Sequence, residues 1–411
     1  MKYTRHVLFH KVSPFIITGV IVLLLAFGIS AYYYWDLKVK DAAMLGNENA
    51  NLSKTLLKAQ ADGKKIEKLY EALKSQDQLK INQQLKADIE KTHSAYTKSI
   101  AAYEDILDLR VAKQDTSKLE LVYAQLVRDL ADLKYATAES SLNDLNGQIK
   151  KINDDLAAKA AAAAAAAAGA PAGPAPANNT PPASGYSYQA VKTEIGTYTI
   201  GLVAADLNST RVIVDTATDG DCRDSCPVLS LGDYVARNGA FAGVNGSYFC
   251  PASYPSCAGK TNSFDTLVMN KNKKYINSEN NVYSNVPLAV FGSGYARFLG
   301  SSSGWGRDTG VDGVIANQPL LLSGGNIAFG GGSDPKQGGK GSRGFVGNRG
   351  NIVYIGVIYN VTVAEMAYVL KALGLENALN LDSGGSTALW AGGYKAGPGR
   401  AIPNAILFVR R

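Results

Sequence analysis

Ala378-Leu379-Asn380-Leu381-Asp382-Ser383-Gly384-Gly385-Ser386-Thr387 is the stretch from which the C-terminal half of the chain can be read. Its first residues alternate apolar and polar, the period of a half-buried strand. Leu379 and Leu381 therefore pack into a core, and Asn380 and Asp382 point the other way. The strand delivers Asp382 into a glycine and hydroxyl turn. Successive amides of such a turn can hold an anion, and Ser383, Ser386 and Thr387 add hydroxyl donors to Gly384 and Gly385. A phosphate-bearing substrate fits that concavity. The plainer reading is a tight turn whose carboxylate only accepts backbone bonds.

Outward from this stretch, glycine, valine, asparagine, serine and tyrosine dominate from Tyr186 to the C-terminus. Residues 197–203, 211–215 and 352–358 read as strands separated by turn clusters. One helix stands among them. Thr362 and Glu365 form its capping box, Met366, Val369, Leu370 and Leu373 its buried face, and Gly374 its stop. Capping accounts for Glu365 and removes it from the catalytic candidates. The four cysteines, Cys222, Cys226, Cys250 and Cys257, lie in this half and suit an oxidising compartment. Four cysteines allow three pairings. The local one, Cys222 with Cys226 and Cys250 with Cys257, needs least chain rearrangement, and the sequence leaves the choice open. A metal site is the weaker reading, because neither spacing is a zinc knuckle and His6, His10 and His93 lie far upstream.

Upstream the composition changes twice. The chain has 411 residues, 46% of them hydrophobic, enough for two or three structural units. From Pro14 to Ala31 it is uncharged and mostly apolar, followed by Tyr32-Tyr33-Tyr34-Trp35. About 20 such residues cross a bilayer as a helix, with the aromatic cluster at the interface. Lys2, Arg5 and Lys11 precede the run, which places the N-terminus in the cytoplasm and everything after Trp35 outside. A cleaved signal peptide ending near Ile29-Ser30-Ala31 is the rival. From 36 to 160, helix formers with scarcely any glycine and no proline predict a helical, coiled-coil-like stalk. Ile81, Leu85, Ile89, Thr92, Tyr96, Ile100, Tyr103 and Leu107 line one face of a first long helix. A second runs from Leu119 to Leu156, restarted by a capping box of Ser117 and Glu120. The pair reads as an antiparallel hairpin that spaces the head from the membrane or self-associates, with its charges on solvated faces. Residues 161–185 form an Ala/Pro/Gly linker. The net charge of +7, from 42 basic and 35 acidic residues without a basic block, gives no support for nucleic-acid binding.

Several separated patches of residues 186–411 resemble the phosphodiester glycosidase family. They are Gly243-Val244-Asn245-Gly246-Ser247-Tyr248-Phe249, Gln318 to Gly325, Ser342-Arg343-Gly344-Phe345-Val346-Gly347, the capped helix, the Asp382 turn, and Arg400-Ala401-Ile402-Pro403-Asn404-Ala405-Ile406. The chain departs from the family pattern at Ser247, Tyr248, Gly344 and Ser383. At Gly344 it lacks a hydroxyl that could touch phosphate.

The resemblance implies a hydrolase acting on a sugar-1-phosphodiester, such as a GlcNAc-1-phosphodiester in surface glycans, their precursors or an exopolysaccharide of the cell envelope. Asp382 would be its catalytic carboxylate. Arg343 and Arg400 would clamp the phosphate, because guanidinium offers a planar bidentate fork. Asn245 and Asn380 would donate hydrogen bonds to sugar or phosphate, with Ser383, Gly384, Gly385, Ser386 and Thr387 completing the site. Asn245 equally suits a turn residue. No cofactor is specified. Asp265, Asp308, Asp312 and Asp334 are candidates for a second carboxylate or a divalent-cation ligand, and their spacing selects none. A non-catalytic phosphoglycan-binding module is the alternative. The fold expected is α+β: an anchor over 1–35, the stalk, the linker, and a β-rich head over 186–411.

Overall fold

The computed structural model describes residues 14–74, 77–167, 177–276 and 285–411. The N-terminal basic residues and the Pro/Gly centre of the linker lie outside the described residues. The chain divides into two compact units, 1–89 and 90–411, each described by itself.

In the first unit helix α1, Pro14–Lys74, runs without a break through the expected anchor boundary at Trp35. No proline interrupts residues 36–74 and most are good helix formers, so nothing there stops propagation. The helix is long and apolar enough to cross a membrane, and its apolar side chains, among them Leu23, Leu24, Leu25 and Phe27, are exposed. Helix α2 is Asp77–Val111, and its C-terminal part, from Glu90, belongs to the second unit.

Two further helices, α3 (Ser117–Ala131) and α4 (Tyr135–Ala167), pack with α2 around Ala102, Ile106, Leu109, Leu126, Leu130, Leu142 and Leu145. The expected single second helix is thus two, broken at Leu133, which has positive φ. Thr116, not Ser117, is the N-cap of α3. Its hydroxyl donates to Glu120, and Ser117 is already helical, with its N–H given to Asp115. The apolar stripe read on α2 is turned outward over Ile81, Leu85, Ile89, Tyr96 and Ile100, all exposed. The buried face is the neighbouring row through Ala95, Ser99, Ala102, Ile106 and Leu109, whose first three small side chains leave room for the adjoining helices.

Among the described residues the β-rich region holds three antiparallel sheets. In the largest, seven strands run in the order Gly185–Thr193, Gly196–Asp206, Ile352–Val361, Gly341–Arg349, Asn377–Ser383, Leu320–Ser323 and Asn326–Ile327. The second orders Tyr394–Ala396, Leu389–Ala391, Ala242–Asn245, Asn404–Arg410 and Thr210–Thr216. The third contains Val268–Met269, Leu288–Gly292 and Gly313–Ala316. Their inner faces meet in one core, in which Val203, Ile355, Leu379 and Leu381 oppose Val214, Val244, Ile406, Phe291 and Ile315. Helix α5 (Leu231–Asn238) covers the second sheet through Leu231 and Tyr234, and α6 (Pro335–Gly338) is a single turn. Helix α7 (Val363–Ala372) covers the first sheet through Met366, Val369 and Leu370. The architecture is mixed α and β, as the composition indicates, and the three expected strands are present. Cys222 pairs with Cys226 and Cys250 with Cys257.

The capping box of α7 is present as read: the Thr362 hydroxyl accepts from the Glu365 N–H, and the Glu365 carboxylate accepts from the Thr362 N–H. Thr362→Ala is expected to lower stability by about 1 kcal/mol. Urea unfolding of the full chain in detergent would measure it, and the affinity of the Asp382 turn for inorganic phosphate should not change.

Candidate active site

Asp382 owes its position to a break in strand register. Arg343 pairs with Ser383 and Phe345 with Asn380, so Gly344 alone faces both Leu381 and Asp382. Two residues opposite one make a bulge, which bends the strand and re-aims its side chains. The main chain of the bulge is tied from the second sheet: Asp382 N–H donates to Gly246 O at 2.9 Å, and the Asn245 amide donates to Asp382 O at 2.8 Å. The Asn245 side-chain oxygen accepts from Ala388 N–H at 3.0 Å. Both ends of Asn245 are thus engaged by backbone. A side chain at 344 would bring its Cβ to 3.3 Å from that same oxygen, so the missing hydroxyl at Gly344 accompanies a space already filled by Asn245.

The Asp382 carboxylate accepts from Ser383 N–H at 2.9 Å and from the Ser386 side chain. Burial pushes its pKa up to about 7 and Asp108 adds to the rise, against the opposing pull of these two bonds and of Arg400. Beyond it the chain turns at Gly384, whose φ of +62° only glycine adopts freely. Thr387 closes the turn by donating its N–H to Gly384 O and its hydroxyl to Ser342 O. Arg400 joins the turn through its N–H on Gly385 O at 2.7 Å, and its guanidinium lies against Gly385, where any Cβ would collide with it.

The concavity is occupied by a carboxylate from α2. Asp108 pairs with the Arg400 Nη2 and accepts from Gly385 N–H at 3.2 Å and from the Tyr254 hydroxyl at 2.9 Å. Burial opposes the charge on Arg400, but Asp108, Tyr254 and Asp382 outweigh it and raise its pKa. One turn earlier, Glu104, itself buried, pairs with Lys336 and accepts from the Ser256 hydroxyl. Asp105 beside them is held up to about 7, first by burial and then by Asp108 and Glu104, with Lys336 and Arg343 pulling the other way.

The acidic turn of α2 is the part sequence reading missed, since its charges were assigned to solvent. A signal existed. Neither Glu104 nor Asp108 has a basic residue three or four positions away, the spacing at which a solvated helix face usually offsets its acids.

The other proposed residues are placed as follows. Arg343 is buried, which lowers its pKa. It donates through Nε to Val361 O and through Nη2 to Lys336 O and Gly339 O, leaving Nη1 at 3.4 Å from the Ser383 hydroxyl. Asn380 donates to the Tyr248 hydroxyl at 2.6 Å and to Gln318 O at 2.9 Å, and its side-chain oxygen is buried without a partner. Of the acids named as cation ligands, Asp312 pairs with Arg211, Asp308 accepts from Gly310 N–H, and Asp334 accepts from Lys336 N–H. The pKa of Asp265 is raised by burial. Among the described residues no group of three His, Cys, Asp or Glu side chains could hold a metal ion.

Set beside known proteins, the segment that carries most of this site is similar to one family. Residues 238–409 match the phosphodiester glycosidase family model. The matched segment includes Asn245, Arg343, the Asp382 turn and Arg400, and excludes the helical region. Two solved structures are similar in part. One is a hypothetical protein from Synechocystis, 14% identical, with a TM-score of 0.43 over 55% of this chain and 62% of that one. The other is the zebrafish N-acetylglucosamine-1-phosphodiester alpha-N-acetylglucosaminidase catalytic domain, auto-inhibited by pro-peptide, 15% identical, with a TM-score of 0.43 over 58% and 87%. No curated protein matches the chain.

Asn245→Ala leaves Asp382 O and Ala388 N–H buried without partners. A loss of about 1–3 kcal/mol for each orphaned group is expected. Chemical unfolding would register it, and Asn245→Asp should fail to rescue because it cannot donate to Asp382 O.

Proposed function

We propose that this domain hydrolyses a sugar-1-phosphodiester, releasing a free sugar and a phosphate monoester, and that α1 anchors it with the domain on the extracytoplasmic side. The observation that carries this reading is the Asp108 carboxylate seated between Gly385 N–H, Arg400 and Tyr254, beside Asp382. An anion already binds there, and a phosphate oxygen pair offers the same acceptors. The two disulfides and the apolar α1 support the placement. A tethered hydrolase of this kind suits glycans of the cell envelope or their precursors.

With phosphate in the place of Asp108, Arg400 neutralises its charge and the Gly385 amide and Tyr254 hydroxyl fix its orientation. A phosphate monoester is a weak base, so its departure asks less of a general acid than an alcohol does. The remaining task is to align water at the anomeric carbon or to stabilise the cationic sugar. A carboxyl that titrates at about 7 is poised to take a proton near neutrality. Arg343 acts as a positioning residue, because its bonds to Lys336 O and Gly339 O hold the loop that carries Lys336.

Release of GlcNAc from a GlcNAc-1-phosphodiester by the full chain in detergent tests the reading. Asp382→Asn is expected to lower turnover at least about 100-fold, and isotope from labelled water should appear in the sugar and not in the phosphate. Engagement of both Ser383 N–H and Ser386 by Asp382 favours a second reading, a phosphoglycan-binding module. Binding with no turnover in the wild type, for any sugar tried, would establish that one.

Stability gives an independent check on Asp382. Its folded pKa lies above the ordinary aspartate value of 3.8, so its favourable contribution is complete below 3.8 and is lost as pH rises towards about 7. Relative to Asp382→Asn, the wild type should therefore lose thermal stability across that window and change little above it. A flat difference between the two would remove the raised carboxyl from the scheme.

A further inference from the structure

The turn of α2 that enters the site carries two carboxylates, and each is held by its own donors. Asp108 lies on Arg400, Gly385 N–H and Tyr254. Glu104, four residues earlier and so about 5–6 Å away on the same helix face, lies on Lys336 and Ser256. Tyr254 joins the two places: the Lys336 ammonium is 4.4 Å and the Arg400 guanidinium 5.1 Å from the centre of its ring. Lys336 and Ser256 belong to neither the Asp382 turn nor its bulge, and in the hydrolysis proposed above neither side chain is assigned a contact with the phosphate or the sugar.

Building on that reading of the anion cradle, we infer that Lys336 and Ser256 form a second anion subsite. The ligand of this head then carries two negative groups about one helical turn apart, and Glu104 and Asp108 occupy both places as an internal mimic. The chemical class is a sugar 1-phosphate or 1-phosphodiester bearing a further carboxylate or phosphate on the sugar. Charge complementarity supports it, because carboxylates in both places are already matched to fixed cations over one aromatic face. Access requires this turn of α2 to leave, and a ligand with two separate anionic groups displaces it better than one with a single such group, since only the former replaces both ion pairs.

The test compares glucose 1-phosphate with glucuronic acid 1-phosphate, which differ in the second anion, by calorimetry on the full chain in detergent. In the double variant Glu104→Gln, Asp108→Asn, the site is freed while side-chain shape is kept. Glucuronic acid 1-phosphate, with its added carboxylate, is expected to bind at least about tenfold tighter than glucose 1-phosphate. Lys336→Met, added to that variant, should abolish the preference and leave glucose 1-phosphate unaffected. On the wild type, hydrogen exchange should show residues 101–109 losing protection with glucuronic acid 1-phosphate more than with glucose 1-phosphate, a readout that does not depend on any variant folding. Equal affinities, a preference that survives Lys336→Met, or protection that ignores both probes would overturn the inference. Turnover of a phosphodiester with no preference for the second anionic group removes the second subsite alone. That preference with no turnover removes the hydrolase reading and leaves the subsite standing.

Discussion

Asn245 bridges the two sheets that build the site, and the placement of Asp382 depends on that bridge. Its amide holds the carbonyl of the bulged residue in the first sheet, and its oxygen holds Ala388 N–H just before the neighbouring strand of its own sheet. Asn317, Asn380 and Asn404 do comparable work nearby and, like Asn245, have no exposed surface. Asn317 receives Tyr248 N–H and donates to Asn380 O, while Asn404 receives Ser247 N–H. Where strands diverge, the backbone cannot satisfy itself through a ladder, and side-chain amides supply the missing donors and acceptors. In a water-free interior each such bond is costly to break, so the asparagines fix the geometry of the turn as firmly as the apolar core fixes the sheets.

Charge at the site follows from burial and pairing pulling in opposite directions. Desolvation keeps Asp382 and Asp105 protonated well above the usual carboxylate range, while the acids around Arg400 secure its cation. The outcome is a carboxyl only partly ionised near neutrality beside a permanent positive charge. That combination suits a substrate whose negative charge must be held while a proton is moved a few ångströms away.

The sequence and the structure agree most closely where local rules dominate. The strand into the Asp382 turn, the cap of α7 and the glycine turn at 384 and 385 were legible because alternation, capping chemistry and turn chemistry act within a few residues. The face of α2 was not, because helical spacing allows two adjacent apolar rows and only the neighbours α3 and α4 select between them. The break at Leu133 was hidden for a related reason: a non-glycine residue in the left-handed region carries no mark in composition. The part played by Glu104 and Asp108 depends on contacts nearly 300 residues away, from Asp108 to Arg400, which no local pattern encodes. Arg343 shows the opposite case. Its motif was visible, but its engagement by three main-chain carbonyls emerges only when the loop at 336–339 is in place.

Asp108 and Arg400 belong to one chain, so their encounter is unimolecular. Diluting the protein does not separate them, and the carboxylate faces its partner at an effective concentration in the range of about millimolar, set by chain connectivity. A free ligand present at micromolar levels would contend poorly with such a neighbour. A polymer whose anionic repeats crowd the surface near the domain meets it on equal terms, because its own repeats are also locally concentrated. On the function proposed above, such a contact would favour ligand that is locally dense over ligand that is dilute in bulk.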